Sequence, residues 1–173
     1  KASFDLSAGM SYKFMSEAPN IDRFSKSSGT ISAGFWHLNQ GKRLTLSDEQ
    51  ADIKTVFMTD LLFAMGQDKK AAFNPWVLGM LQGSAYELTA GGDFRFFLKQ
   101  SDKYSVSRAI FSIGGAYRLN DAAMARIMFD YANYGIGVAY EMNTSSLKEA
   151  SKGFGCFEVF LKYSPMSKSW SLY

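Results

Sequence analysis

The chain has 173 residues and a formal net charge of +3, and 16% of its residues are aromatic. Its lysines and arginines are scattered rather than clustered, so the sequence gives no indication of a nucleic-acid partner. With one cysteine and one histidine, the chain holds neither a disulfide nor a metal site built from those residues, and we expect no cofactor. No apolar run reaches the roughly 18 residues of a transmembrane helix.

The first segment, Lys1–Phe14, alternates without interruption. Its even-numbered residues are all apolar, and its odd-numbered residues are polar, charged or glycine. Side chains on a β-strand point to opposite faces in turn, so this segment predicts a strand with one fully apolar face. At ~3.4 Å per residue it would extend over about 40 Å, which is longer than most strands of globular domains and long enough to cross a bilayer.

Three further strands are predicted in the first half of the chain. Gly29–Leu38 alternates weakly, whereas Ile53–Met65 and Phe73–Leu81 are apolar on both faces, apart from Asp60. The compact polar turn Gly66–Lys70 joins the last two strands. Because both of their faces are apolar, the pattern does not decide which face of these two strands is turned toward a core or lumen.

The second half of the chain returns to regular alternation. Short turns such as Gly66–Lys70 and Asn120-Asp121 are interspersed with longer polar loops such as Thr144–Gly153. Outer-membrane barrels usually have short turns at one end and long loops at the other, so this pattern favours such a barrel. The predicted strands of this half are Ala85–Lys99, Val106–Leu119, Ala122–Ala132, Tyr134–Asn143 and Cys156–Tyr163.

About nine strands linked as hairpins predict an all-β, antiparallel, up-and-down sheet. Two folds fit strands with one apolar and one mixed face. In a soluble sheet a protein core covers the apolar face, whereas in a transmembrane barrel that face contacts lipid and the mixed face lines the lumen. The length and regularity of the alternation favour the barrel, and a soluble β-sandwich is the alternative.

The barrel interpretation places charged residues on the lumen face, where acids and bases can pair. A paired-carboxylate catalytic site among them is a weaker hypothesis than a structural network of ion pairs. The charged residues predicted to line the lumen are Glu87, Asp93, Arg95, Arg108, Arg118, Arg126, Asp130, Glu141, Glu158 and Lys162.

For three other features of the sequence, a structural role is a better explanation than a catalytic or ligand-binding role. His37 follows Trp36 in a predicted strand and has no serine or cysteine partner nearby, so we expect a packed or interfacial histidine rather than a catalytic base. Cys156 is expected to be an ordinary strand residue. A set of glycines shares the predicted lumen face and is expected to curve the sheet, although a ligand or plug could also approach there. These glycines are Gly34, Gly91, Gly114 and Gly137.

Several stretches resemble the PorP/SprF family of type IX secretion system membrane proteins of Bacteroidota. The resemblance is strongest in GGAYRLNDA at Gly114–Ala122, in YGIGVAYEMNTSSLKEAS at Tyr134–Ser151 and in GFGCFEVFLKY at Gly153–Tyr163. Two further stretches agree, ISAGFWHLNQG at Ile31–Gly41 and LQGSAYELTAGGDFRFFL at Leu81–Leu98. Glu141 and Phe160 depart from the family pattern, which usually has aspartate and serine at these positions.

This resemblance implies a transmembrane antiparallel up-and-down β-barrel of about fourteen strands in the outer membrane. Residues 1–163 would then be the C-terminal part of the barrel, followed by a tail at residues 164–173. The implied role is not enzymatic and has no small-molecule substrate. The implied partners are outer-membrane lipid and either type IX secretion subunits or a secreted cargo protein with a C-terminal signal domain, such as a gliding adhesin. A passive diffusion porin is the alternative function, and an outer-membrane hydrolase would need a partner for His37.

Overall fold

The computed structural model describes residues 4–17, 23–41, 50–99, 109–145 and 155–164. Within these ranges the chain forms β-strands and no helices, so no described helix could cross a membrane. The strands are β1 Ala8–Met15, β2 Ser27–Trp36, β3 Lys54–Met65, β4 Ala71–Gln82, β5 Ala85–Lys99, β6 Ala109–Arg118, β7 Ala122–Tyr131, β8 Tyr134–Asn143 and β9 Cys156–Tyr163.

The strands form one sheet of 9 strands in the order of the sequence, and every neighbouring pair is antiparallel. β1 and β9 each have a neighbour on one side only, so the described sheet is open. This arrangement confirms the predicted all-β, up-and-down fold and is consistent with part of a barrel.

The first strand is shorter than predicted, whereas the boundaries of β5, β8 and β9 agree with the prediction. Of the described residues 4–14, only those from Ala8 onward are in a strand, so the length argument drawn from the segment Lys1–Phe14 was wrong. Phe4 and Leu6 instead accept hydrogen bonds from the turn after β2. The carbonyl of Leu6 accepts from the Leu38 N–H at 2.9 Å, and the Asn39 amide donates to the Phe4 carbonyl at 2.6 Å. The longest strand is β5, with 15 residues.

The pairing register gives the sheet two chemically different faces. Asp93 of β5 lies opposite Gly114, which lies opposite Arg126, and the same row continues through Ala139 to Glu158. Residues that pair directly across antiparallel strands share a face. We call the face that carries this row the charged face and the opposite one the apolar face. Among the described side chains of the strands, no charged residue lies on the apolar face.

The apolar face is exposed, and the charged face is partly buried. On the apolar face Met10 is 76% exposed and Leu161 is 80% exposed, whereas Asp93 and Ser112 on the charged face are buried. A single cavity of about 380 Å³ touches both Trp76 in β4 and the last strand, β9. In a flat sheet these strands would be about 24 Å apart at ~4.8 Å per strand, so the sheet must curl around its charged face.

A small apolar cluster covers one end of the charged face. Phe24, which precedes β2, is buried against Ala72 and Ile110, and its N–H donates to the Lys69 carbonyl at 3.0 Å. Partly buried apolar residues of β3 and β5 pack around it, namely Leu62, Ala64 and Phe97. This packing explains why β3 and β4 are apolar on the charged face at the end of the sheet where they meet Phe24.

The expected separation of short turns and long loops is wrong for this sheet. In an up-and-down sheet, consecutive connections lie at opposite ends. The two short turns, Gly66–Lys70 and 119–121, therefore lie at opposite ends of the sheet. The longer connection 144–155 lies at the same end as the turn 119–121. Each end of the sheet carries both short and long connections, so connection length does not identify an outer end.

Candidate functional site on the charged face

The centre of the charged face is occupied by an ion pair between two non-adjacent strands. The guanidinium of Arg126 in β7 donates to Asp93 in β5, with 2.7 Å between Nε and Oδ1, and it makes a second contact with Oδ2. Its Cζ also lies 5.1 Å from the ring centroid of Trp76 in β4. Arg126 therefore contacts both an acid and an aromatic ring, and it connects three strands through its side chain.

A second ion cluster surrounds Arg118 at the end of β6. Its two terminal nitrogens donate to the two carboxylate oxygens of Glu141 at 3.0 and 3.1 Å. It also donates to Asp121 at 2.8 Å, and its Nε lies 3.6 Å from Glu87. One arginine thus faces three acids, which gives this end of the charged face a local excess of negative charge.

A third ion pair joins Lys162 of β9 to Asp130 of β7, close to the opposite end of the sheet. Two other predicted residues have no ion pair among the described residues. The Cζ of Arg95 lies 5.7 Å from the centroid of the Phe24 ring. Glu158 lines the cavity of about 380 Å³ that also contacts Trp76. The charged face therefore contains paired charges at both ends and in the middle, and Arg95 and Glu158 are charges without an ion pair among the described residues.

Glycines on the charged face make room for large side chains of neighbouring residues. A Cβ at Gly91 would lie 2.6 Å from the indole of Trp76, directly opposite in the register. A Cβ at Gly137 would collide with the Phe160 ring, and one at Gly114 would collide with the Asp93 carboxylate. The space above these glycines is thus filled by side chains of the same sheet, as when an aromatic residue covers a strand glycine.

Two neighbouring cavities lie on the charged face, and Arg126 lines both. The larger, of about 380 Å³, also contacts Trp76 and Glu158. The smaller, of about 250 Å³, is lined by Arg95, Ser112 and six other residues. Polar groups and aromatic rings converge on both cavities, which makes this face the best candidate for a binding site.

Most residues predicted to line the lumen lie on this charged face, and the structure shows how they pair. Arg108 lies outside the described residues. Sequence reasoning did not identify Phe24 or Trp76 as contributors. The only available signal for Trp76 was a bulky aromatic residue within a predicted strand, whereas the importance of Phe24 depends on contacts with strands distant in the sequence. That this face lines a lumen remains a prediction.

The other residues singled out in the sequence lie at the margins of the sheet. The sequence predicted His37 in a strand, but the structure places it in the turn after β2, where its φ is 59°. Its Nδ1 lies 3.0 Å from a carboxylate oxygen of Asp5. Cys156 begins β9 and is exposed. The described residues contain no group of three or more histidine, cysteine or acidic side chains placed to hold a metal ion.

A comparison with family models matches one family over nearly the whole chain. The model for the type IX secretion system membrane protein PorP/SprF covers residues 1–163, which include all nine strands. No curated protein and no solved structure matches the chain. The match to a family of membrane proteins agrees with the curled antiparallel sheet and with the absence of charge from the apolar face among the described side chains. The chain therefore belongs to the PorP/SprF family of type IX secretion system membrane proteins.

Proposed function

We propose that the chain is a non-enzymatic component of the type IX secretion system in the outer membrane. Residues 1–163 form part of a transmembrane barrel, and residues 164–173 form a tail. The apolar face contacts lipid, and the charged face lines the lumen. The observation that carries this proposal is the absence of charge from the exposed apolar face in all described strands.

The size of the apolar face makes a solvent-exposed role unfavourable. The largest apolar patch on a typical soluble monomer covers roughly 300–600 Å². Here more than two dozen large apolar side chains on nine strands are over a third exposed. In a bilayer such side chains are in their preferred environment, whereas a lysine or arginine at mid-depth costs about 2–4 kcal/mol.

Tyrosines near both ends of the apolar face fit the two interfaces of a bilayer. Tyr131, Tyr134 and Tyr163 lie at one end, where the rings of the last two are 5.1 Å apart. Tyr86 and Tyr117 lie at the opposite end. Tyrosine is enriched at membrane interfaces because its ring is apolar and its hydroxyl is polar. These positions support a belt at each end of a lipid-facing band.

The proposed role is to dock partners rather than to carry out a reaction. The partners are other type IX secretion subunits or a secreted cargo protein with a C-terminal signal domain, including cargo of gliding motility. The cavities on the charged face are the surfaces that support docking, because polar groups and aromatic rings converge on them.

Cysteine labelling tests the membrane orientation. In a Cys156→Ser background, Leu161→Cys and Glu158→Cys lie on the same strand but on opposite faces. In intact outer membranes we expect a membrane-impermeant maleimide to label the cysteine at 158 and not the one at 161. After denaturation both should react equally. Equal labelling of the two native variants would contradict the proposed lipid contact.

Partner capture tests the docking role separately. Native membranes should be crosslinked and solubilised, the tagged protein purified, and bound proteins identified by mass spectrometry. We expect secretion subunits or secreted cargo, and deletion of the gene should leave that cargo inside the cell. If the protein were instead a diffusion porin, it would conduct ions in planar bilayers while cargo secretion remained normal after deletion.

A further inference from the structure

The smaller cavity on the charged face contains polar groups that lack partners. It has a volume of about 250 Å³ and is lined by residues of β4 to β7 and of β9, including Arg95, Ser112, Arg126 and Lys162. Arg126 is already bonded to Asp93, and Lys162 to Asp130. The remaining polar groups in this cavity determine what it could bind.

Ser112 is the most unusual of these groups. The residue is 7% exposed, and its hydroxyl has no hydrogen-bond partner among the described residues. Buried hydroxyls are almost always bonded, because a lost bond to water is costly unless another partner replaces it. The Ser112 hydroxyl can donate to an acceptor placed in the cavity that its residue lines.

Arg95 lies beside Ser112 and differs from the other arginines of the charged face. The two residues are directly paired across β5 and β6, so their Cβ atoms are about 5 Å apart on the same face. Arg118 and Arg126 each form two bonds to one carboxylate, whereas Arg95 has no ion pair among the described residues. The Phe24 ring lies under its guanidinium and leaves the planar N–H edges free.

The charges around this pair favour a single negative charge. Among the charged residues that line this cavity and the one beside it, Asp93 pairs with Arg126 and Asp130 with Lys162, so Arg95 supplies one unbalanced positive charge. A planar guanidinium and a hydroxyl donor match a carboxylate, which accepts bonds through two oxygens. A phosphate dianion would place a second negative charge near Asp130 with no further free cation lining the cavity.

Two hydrogen-bond acceptors without partners among the described residues line a second cavity that Arg95 also lines. Arg95 and Lys162 also line an adjoining cavity of about 210 Å³, together with Asp130 and Asn133. One carboxylate oxygen of Asp130 and the amide oxygen of Asn133 are buried there without a hydrogen-bond partner among the described residues. These acceptors require donors, and backbone N–H groups next to an acidic side chain would supply them.

We propose that Arg95 and Ser112 form a binding site for a carboxylate carried by a peptide, with Asp130 and Asn133 accepting from the N–H groups of that peptide. Such a site would recognise an acidic residue in a polypeptide that enters the charged face. The inference goes beyond the docking role, because the barrel could dock partners elsewhere without it.

Binding to the purified, detergent-solubilised protein tests the site. The probes are a blocked Ala-Asp-Ala tripeptide, its Ala-Asn-Ala counterpart and acetate, each titrated by isothermal calorimetry. We expect the aspartyl peptide to bind at least about tenfold more tightly than the asparaginyl peptide and than acetate. Arg95→Met should weaken binding of the aspartyl peptide about tenfold or more, and Ser112→Ala should weaken it several-fold.

Lys13→Met is the matched control, because Lys13 is a cation of the same face on the distant strand β1. It lowers the net charge as Arg95→Met does and should leave binding unchanged. Ser112→Ala removes no bond within the described protein, so it should fold normally even if Arg95→Met does not. Absent binding, equal affinity for the two peptides, or an unchanged affinity in Ser112→Ala would overturn the proposal. Acetate binding as tightly as the aspartyl peptide would overturn the assignment to a peptide.

Discussion

Replacing Arg126 with methionine should destabilise the sheet more than replacing its partner Asp93 with asparagine. The two side chains differ in burial, because that of Asp93 is 6% exposed and that of Arg126 is 41% exposed. Loss of the arginine leaves a carboxylate buried without its counter-charge, which costs about 3–5 kcal/mol. Loss of the carboxylate leaves a half-exposed guanidinium that water and the Trp76 ring still solvate, so we expect about 1–3 kcal/mol.

The measurement is urea-induced unfolding of the intact protein in detergent micelles or lipid vesicles, followed by tryptophan fluorescence. The double variant should lose less unfolding free energy than the two single variants lose together, because the second substitution removes a group that the first left unpaired. Glu158→Gln is the control, since Glu158 lies on the same face without an ion pair among the described residues, and it should change stability by less than about 0.5 kcal/mol. Equal losses for Arg126→Met and Asp93→Asn would refute the reasoning from unequal burial.

Two further pairs of substitutions test the packing and the orientation of the sheet. Gly137→Ala should cost about 1–3 kcal/mol because its methyl group collides with the Phe160 ring, whereas Gly79→Ala should be nearly neutral because its nearest neighbour, a methyl group of Leu88, is 3.9 Å away. Urea unfolding of both would measure the difference, and similar costs would contradict the fit of the ring over the glycine. Ile127→Arg should cost about 2–4 kcal/mol in a bilayer, while Met128→Arg on the charged face should cost less. The yield of heat-modifiable folded protein in outer-membrane fractions would check this order, and equal yields would argue against a lipid-facing Ile127.

The sequence was a good guide wherever the deciding interaction was local. Alternation along β5 and β8 identified both the strand and its two faces, because successive side chains of a strand must point in opposite directions. The same pattern failed at Lys1–Phe14, where the alternation continues but β1 begins at Ala8. There the backbone before Ala8 bonds to the turn after β2, an interaction between residues more than thirty positions apart that no local pattern records.

The faces of the strands follow from the sequence, but the partners on each face depend on the register. Arg126 lies four residues before Asp130 in β7, yet its carboxylate partner is Asp93, two strands away. β3 and β4 could be oriented only from their pairing with β5, which places Trp76 and Asp60 on the charged face. Alternation along a strand is fixed by backbone geometry alone, so the sequence by itself determined that one face carries charge and the other does not. Pairing and burial depend on how nine strands align and curl, and only the tertiary structure decided these.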